Sequence, residues 1–337
     1  MQTQYNIPLS ELTTMRLGGP VQSIITVNTA DELAEVVNQL GNTPFFVLGG
    51  GSNVIAHDEG FAGTIILNRI LGFEVIRQDM QHAEVRIGAG ENWDTVVERL
   101  ASMGLSGCEA MSAIPGTAGA TPVQNVGAYG QEIADTLVEL EAYDTKTDSF
   151  ITLKNTDCHF TYRNSIFKDP TTRHHIITSI VLRLNKTTMR PPFYASLQKY
   201  LDEHEITDYS PQAIRAAVSA IRAVKLPDPK QVANTGSFFK NPIVDSITAD
   251  QIIKLWPELP HFPAGDGMVK LAAGWLIEQA KLKGYAAHGF KTYENNALVV
   301  VNESAHSYAE LQAFKNEIIE RVLEKFGVTL EQEPETL

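Results

Sequence analysis

Cysteine is scarce, with two in 337 residues, Cys108 and Cys158. Two thiols cannot build a disulfide framework, and this pair shows no metal-ligand spacing, so a reducing compartment is expected. Positive charge is also short: 27 Lys and Arg stand against 40 Asp and Glu, a net charge of −13. That balance disfavours nonspecific nucleic-acid binding. No apolar run approaches the roughly 18 residues that a membrane span needs. The opening MQTQYNIPLS has neither a basic start nor an apolar run, so a cytoplasmic protein without a membrane partner is expected. There is no GxGxxG, GKS or GKT, and no HxxxH or HExxH. His174 and His175 are adjacent and would face opposite sides of a strand, so no metal site is expected.

What is present is a chain for a real core, 43% hydrophobic and 20% charged, long enough for two or three domains. Gly107 to Glu132, GCEAMSAIPGTAGATPVQNVGAYGQE, is the most unusual stretch, with five glycines and two prolines. Few of its side chains are expected in a core. Glycine lets backbone approach a ligand, and successive N–H groups suit phosphate, so a polyanion is the expected occupant. A floppy surface loop is the alternative, opposed by Ile114, Ala118, Val123 and Val126. Basic residues gather in the second half (Arg215, Arg222, Lys225, Lys230, Lys281, Lys283), where an anionic small ligand would need them.

The first 70 residues read β-α-β-turn-β. Val21–Val27 is β-branched. Thr29 and Glu32 form a capping box for a helix with Leu33, Val36, Val37 and Leu40 on one face and Gly41 as its stop. Phe45–Leu48 is a short strand that runs into Gly49-Gly50-Gly51-Ser52-Asn53 and then more strand (Val54, Ile55, Thr64–Leu67). A dinucleotide or P-loop turn would open into a helix instead. Ala83–Ile87 is a strand, followed by a helix with Val96, Val97, Leu100 and Met103 on one face. Strands are expected at 137–143, 150–153 and 175–184, a boundary at Pro191-Pro192, and helices at 211–224 and 274–282. A final helix starts at the Ser307–Glu310 box with face Leu311, Phe314, Ile318, Val322 and Leu323. The last residues read as a short strand or tail.

TMRLGG (14–19), LGGGSNVI (48–55), IPGTAGATPVQNVGAYG (114–130), YRNSIFK (162–168), KLPDPK (225–230), GSFFKNP (236–242) and AAGWLIEQAKLKG (272–284) occur in this order. Together they resemble the UDP-N-acetylenolpyruvoylglucosamine reductase family over nearly the whole chain. The resemblance implies an α+β architecture: a two-lobed FAD-binding fold of the vanillyl-alcohol-oxidase / p-cresol-methylhydroxylase type plus a C-terminal α+β substrate domain. The implied domains are 1–68 and 69–187 for FAD and 188–337 for the UDP-sugar, with the tail 328–337 returning to the active site. Tyr194 implies the form that closes a tyrosine-bearing loop over substrate.

The implied activity is NADPH-dependent, FAD-mediated reduction of UDP-N-acetylglucosamine enolpyruvate to UDP-N-acetylmuramate for peptidoglycan, by a monomer with noncovalent FAD. Hydride goes from flavin N5 to the enol methylene carbon, and a proton goes to the α carbon. The catalytic set is Arg163 as charge stabiliser, Ser237 as proton donor and Glu333, favoured over Glu331 although Pro334 stands where valine is usual. A carboxylate beside an enediolate is expected to have a raised pKa. Cofactor contacts are Gly49, Gly50, Gly51, Ser52, Asn53, Ser112, Ile114, Pro115, Gly116, Thr117, Gly119 and Ala120. Substrate contacts are Tyr194, Lys225, Asn241, Lys283 and Asn296, the last where glutamine is common. A related flavin oxidase and a non-catalytic nucleotide-sugar binding protein are the alternatives; GSFFKNP with KLPDPK opposes the first, and Arg163 with Ser237 the second.

Overall fold

The first helix, Ala30–Leu40, shows how closely local chemistry sets the elements. Thr29 accepts the Glu32 N–H at 3.1 Å, as a capping residue should. The return bond differs from the expected box: the Glu32 carboxylate accepts the Asn28 N–H at 2.7 Å, one residue before the cap. Gly41 ends the helix at φ 54°. A computed structural model describes residues 1–169 and 171–337, which divide into two compact units.

The first unit contains Met1–Ile7, Val21–Gly50 and Ala62–Ala223. One sheet orders its strands Gln2–Pro8, Pro20–Val27, Phe61–Asn68 and Phe45–Leu48, the last two parallel. A second, antiparallel sheet orders Ser149–Lys154, Leu137–Asp144, His175–Asn185, His82–Gly88 and Phe73–Gln78. The helix Trp93–Ser102 buries Trp93, Val96, Val97 and Leu100 in the core of the second sheet. Met103 leaves that face: it follows the last helical turn and is exposed. Helices Ala195–Glu203 and Pro211–Lys225 share a small core of Phe193, Leu197, Leu201, Ile214, Val218 and Ile221.

The second unit contains Pro8–Pro20, Gly51–Phe61 and Val224–Leu337. Its main sheet orders Ala233–Ser237, Asn296–Asn302, Phe290–Tyr293 and Ala286–Ala287. The helix Tyr308–Phe326 carries the expected capping box, with Ser307 and Glu310 each bonding the other's N–H. It buries Leu311, Phe314, Ile318, Val322 and Phe326. Leu323 is exposed, because Phe326, four residues past Val322, continues the stripe instead. The chain end is a short strand: Glu335–Thr336 pairs parallel with Val54–Ile55. Pairing begins just after Pro334, which has no N–H to give. Spatial grouping therefore joins residues 188–223 to the first unit and the segment after Gly50 to the second. Among the described residues no helix is long and apolar enough to cross a membrane.

Candidate functional site

In the first unit the two glycine-rich loops meet at backbone distance. A Cβ on Gly49 would sit 2.5 Å from Thr117 Oγ1, and one on Gly50 would sit 2.8 Å from Gly116 Cα. Gly119 is equally closed, 2.5 Å from Ala89 Cβ. Arg69 donates to the Gly49 carbonyl at 3.1 Å. In the second unit Gly51 has φ +64°, and a Cβ there would lie 1.9 Å from the Leu12 carbonyl oxygen. So these glycines do not leave floppy chain: Gly50 and Gly51 let main chain pack on main chain, and Gly49 and Gly119 make room for the side chains of Thr117 and Ala89.

The long loop is more deeply built than its composition suggests. Cys108, Ala110, Met111 and Ala118 are in or beside the core, as are Ser112, Thr117, Thr121 and Asn125. The expectation of few core side chains therefore fails: 3-10 turns at Glu109–Met111 and Ala118–Ala120 turn residues inward. Glu109, 1% exposed, accepts the Ser106 hydroxyl and the Gly107 N–H and fixes the loop's entry. Trp93 donates its indole N–H to the Met111 carbonyl. Ile114 packs at the edge of the same core.

Ala113, within the stretch expected to contact flavin, is held in the left-handed region at φ 57°. Its N–H donates to Asp94 Oδ1 at 2.6 Å, and its carbonyl accepts from Arg222 Nη2 at 3.3 Å. Asp94 is itself gripped by Arg215 through both carboxylate oxygens, at 2.6 and 3.2 Å. Burial alone would raise the Asp94 carboxyl, but the Arg215 hydrogen bond and the Ala113 N–H outweigh it and hold it below the usual range. The Arg222 Nε is buried without a hydrogen-bond partner. Burial lowers its pKa, opposed by Tyr129 and Asp94. Arg215 and Arg222 stood out in the sequence only as basic residues; their seven-residue spacing on one helix face was the available signal.

Arg163 lies in a tight turn bridged by Thr161 and Asn164, with φ 53°. Its Nη2 donates to Gly127 O at 3.0 Å, and Ser165 donates to Val123 O at 2.7 Å. The YRNS turn is thus pinned to the glycine-rich loop. Ala113, Asn125, Tyr129 and Arg163 all carry positive φ without being glycine. Such residues persist where the surroundings over-determine them, a frequent property of functional sites. Tyr194 is 45% exposed and meets Tyr129 edge-to-face at 5.9 Å.

In the second unit Ser237 ends the strand Ala233–Ser237 rather than capping a helix; the next helix, Ser246–Leu255, is capped by Asp245. Gly236, at φ +71°, makes an irregularity between Asn234 and Ser237 that re-aims the serine. The C-terminal segment runs alongside. Glu333 N–H donates to Phe238 O at 2.9 Å, and Lys240 N–H donates to Glu331 O at 2.9 Å. Glu333 is 8% exposed, whereas Glu331 is an exposed partner of Lys240 at 3.3 Å. Lys240, three residues after the serine, is thus already paired. Glu335 N–H reaches Asn53 O at 3.0 Å, which ties Ser52-Asn53 to the tail.

Sequence neighbours of Lys225 and Lys283 meet the hairpin turn that precedes Asn296. Asn295 Nδ2 donates to Val224 O at 2.9 Å, and a Cβ on Gly284 would lie 3.8 Å from Glu294. Lys283 pairs with Glu278 at 3.1 Å. Asn241 accepts the Ala273 N–H at 2.9 Å at the start of helix Ala273–Gln279, and Asn296 accepts the Leu298 N–H at 3.1 Å. Both amides therefore also have structural work.

Residues 21–153 match a family described as FAD binding domain, and residues 228–337 match UDP-N-acetylenolpyruvoylglucosamine reductase, C-terminal domain. A curated reductase of that name from Ralstonia nicotianae is 39% identical, with 97% of each chain covered. The chain belongs to the UDP-N-acetylenolpyruvoylglucosamine reductase family. Another member, from Dechloromonas aromatica, is 38% identical with 99% of each chain covered. The solved reductase from Thermus caldophilus superposes with TM-score 0.68 at 26% identity, covering 100% of this chain and 99% of its own. The chain is thus an oxidoreductase of this family, with the FAD-binding and C-terminal domains of the expected fold.

The first unit's residues fit FAD. The buried Arg222 keeps an N–H without a protein acceptor beside the glycine-rich loops. That donor suits an anionic group of a dinucleotide. Neither cysteine suits a covalent tether. Burial, only partly offset at Cys108 by the Thr136 hydroxyl, pushes that thiol up to about 12, and burial does the same at Cys158. The thiolate is the reactive form. Ellman's reagent at pH 8 is expected to modify neither thiol in the native protein and both after unfolding; fast modification of native Cys108 would contradict this burial.

Proposed function

We propose that the chain reduces UDP-N-acetylglucosamine enolpyruvate to UDP-N-acetylmuramate for peptidoglycan synthesis, with NADPH as hydride donor, as a cytoplasmic monomer. In this reading residues 1–68 and 69–187 serve the cofactor and 188–337 the UDP-sugar. The observation that carries it is the family match across nearly the full chain at 39% identity, with Arg163 in YRNS and Ser237 in GSFFKNP both present. When bound, noncovalent FAD supplies hydride transfer from NADPH to the enolpyruvyl methylene carbon. Gly49 to Asn53, Ser112, and Ile114 to Ala120 position that cofactor.

The remaining chemistry belongs to the side chains. Adding hydride to an alkene conjugated with a carboxylate drives charge onto the carboxylate as an enediolate. Arg163, a planar and permanently charged fork, stabilises that charge. Its pinned turn supports the role, because a preorganised cation needs no rearrangement as charge develops. The Ser237 hydroxyl then gives its proton to the α carbon. Serine is a weak acid, but the carbanion-like acceptor is strongly basic. The neighbouring Glu333, buried against Phe238, is the supporting acid. Lys225, Lys283 and Asn296 hold the nucleotide-sugar with Asn241, and Tyr194 closes over it.

The test is anaerobic and spectroscopic. NADPH is expected to bleach the flavin of the purified protein, and UDP-N-acetylglucosamine enolpyruvate is expected to restore the colour. A protein that stays yellow with NADPH, or stays bleached with the enolpyruvyl substrate, overturns the reading.

A further inference from the structure

Asp144, His174 and His175 converge in the first unit, against the expectation that the two histidines would point apart. Alternation does not apply to the pair, because the strand His175–Asn185 begins at the second of them. The sheet register does the rest. Asp144, the last residue of Leu137–Asp144, lies opposite His175, and Thr145 N–H bonds His174 O at 3.0 Å. The ring centroids are 4.1 Å apart. His174 Nε2 is 3.7 Å from Asp144 Oδ1, and His175 Nε2 is 3.9 Å from Oδ2.

Those separations are too long for hydrogen bonds. They are close to the distance between two ligands of one ion: donors about 2.0–2.1 Å from a tetrahedral centre stand about 3.4 Å apart. One ligand atom from each of the three residues lies within 4.8 Å of the others, so contraction by small side-chain rotations closes the set. The Nδ1 atoms of both rings are buried without a hydrogen-bond partner, so neither ring is committed through that atom to another protein group. Asp144 is 7% exposed and its Oδ1 is oriented by the Lys146 N–H at 2.9 Å, while the Lys146 ammonium turns to Thr171 O at 3.2 Å. The histidine side chains keep 17% and 12% exposure, enough for an ion to enter and for water to complete its shell. Two imidazoles and a carboxylate suit zinc-like transition ions rather than magnesium or calcium, which take oxygen ligands. None of the three residues has a part in the proposed reaction.

We infer that Asp144, His174 and His175 form a binding site for one divalent transition-metal ion of the zinc type, which ties the end of one strand to the start of its neighbour and the turn before it. The site is structural and separate from the reductase chemistry.

The test uses untagged, flavin-loaded, chelator-treated protein titrated with Co²⁺. One equivalent is expected to bind with the visible bands of a low-coordinate ion, and Zn²⁺ is expected to displace it. Asp144→Asn and the double variant His174→Ala/His175→Ala are expected to lose that equivalent, with reductase turnover retained. A second measurement avoids any variant: saturating Zn²⁺ is expected to protect both histidines from diethyl pyrocarbonate, read by peptide mapping. Absence of Co²⁺ uptake by the wild-type chain, unchanged uptake in the double variant, or equal modification with and without Zn²⁺ would each overturn the site.

Discussion

Ser237→Ala is expected to bleach normally with NADPH and then to recover its colour about 10²- to 10⁴-fold more slowly with the enolpyruvyl substrate, the range for loss of a positioned general acid. The two halves are expected to separate because the proposed mechanism uses the hydroxyl only after hydride has reached the methylene carbon. In the proposed mechanism its proton goes to the substrate's α carbon, and the NADPH half does not use it. The geometry favours a specific acid over a packing role. Ser237 caps no helix, and Gly236 bends the strand just before it. Removing one hydroxyl from this half-buried position leaves the flanking Phe238 and Phe239 in the core, so the fold should persist. Ser237→Cys, which keeps a protic group, is expected to fall between alanine and wild type. Stopped-flow absorbance of each half-reaction reads the result. An alanine variant whose second half runs at the wild-type rate would remove Ser237 as the donor.

The largest stability effect is expected from Gly51→Ala, with Gly327→Ala as its control. Both glycines have similar positive φ, +64° and +69°. A left-handed alanine costs about 1–2 kcal/mol at either position. The surroundings differ. Nothing lies within 4 Å of a Cβ on Gly327, whereas one on Gly51 would meet the Leu12 carbonyl oxygen at 1.9 Å. That oxygen is main chain and cannot rotate away, so the Thr13–Gly51 region must shift, adding roughly 1–3 kcal/mol as overpacking does. The shift also pulls on the Gly51 carbonyl, which accepts the Thr14 N–H at 3.1 Å. Gly51→Ala is therefore expected to lose about 3 kcal/mol or more and to purify with depleted flavin, against about 1–2 kcal/mol and full flavin for Gly327→Ala. Urea midpoints and the flavin-to-protein absorbance ratio check both. Equal losses in the two variants would show that the close approach at Gly51 is not what excludes a side chain.

Particular residues show why some features were legible from sequence and others were not. The Thr29 and Ser307 caps, and the buried stripes of the helices they start, follow from bonds and periods that span one or two turns. Boundaries were harder. Met103 and Leu323 fit a helical period yet are exposed, because a period fixes the phase of a stripe and not where the core beneath it ends. The glycine-rich loop was conspicuous, but Met111 and Cys108 entering the core was not, since turns without a period give no burial pattern. The expectation for His174 and His175 fails because alternation does not run across a strand boundary, and only the register with Asp144 locates that boundary.

The order and chemical types of the motifs belonged to the sequence: glycines at 49–51, arginine in YRNS, serine in GSFFKNP, and glutamates near the end. These depend on residue identity along the chain, and the family and its redox chemistry follow from them. Only the tertiary structure shows that Glu333 lies buried beside the serine strand while Glu331 is exposed: two residues apart they would share a face of a regular strand, so no local period separates them, and their surroundings in the folded chain do. It alone decided that Asp94, Arg215 and Arg222 hold Ala113 in a left-handed turn. Those residues lie up to 128 positions from one another, and no local propensity acts over that distance. Packing and hydrogen bonds between distant segments do.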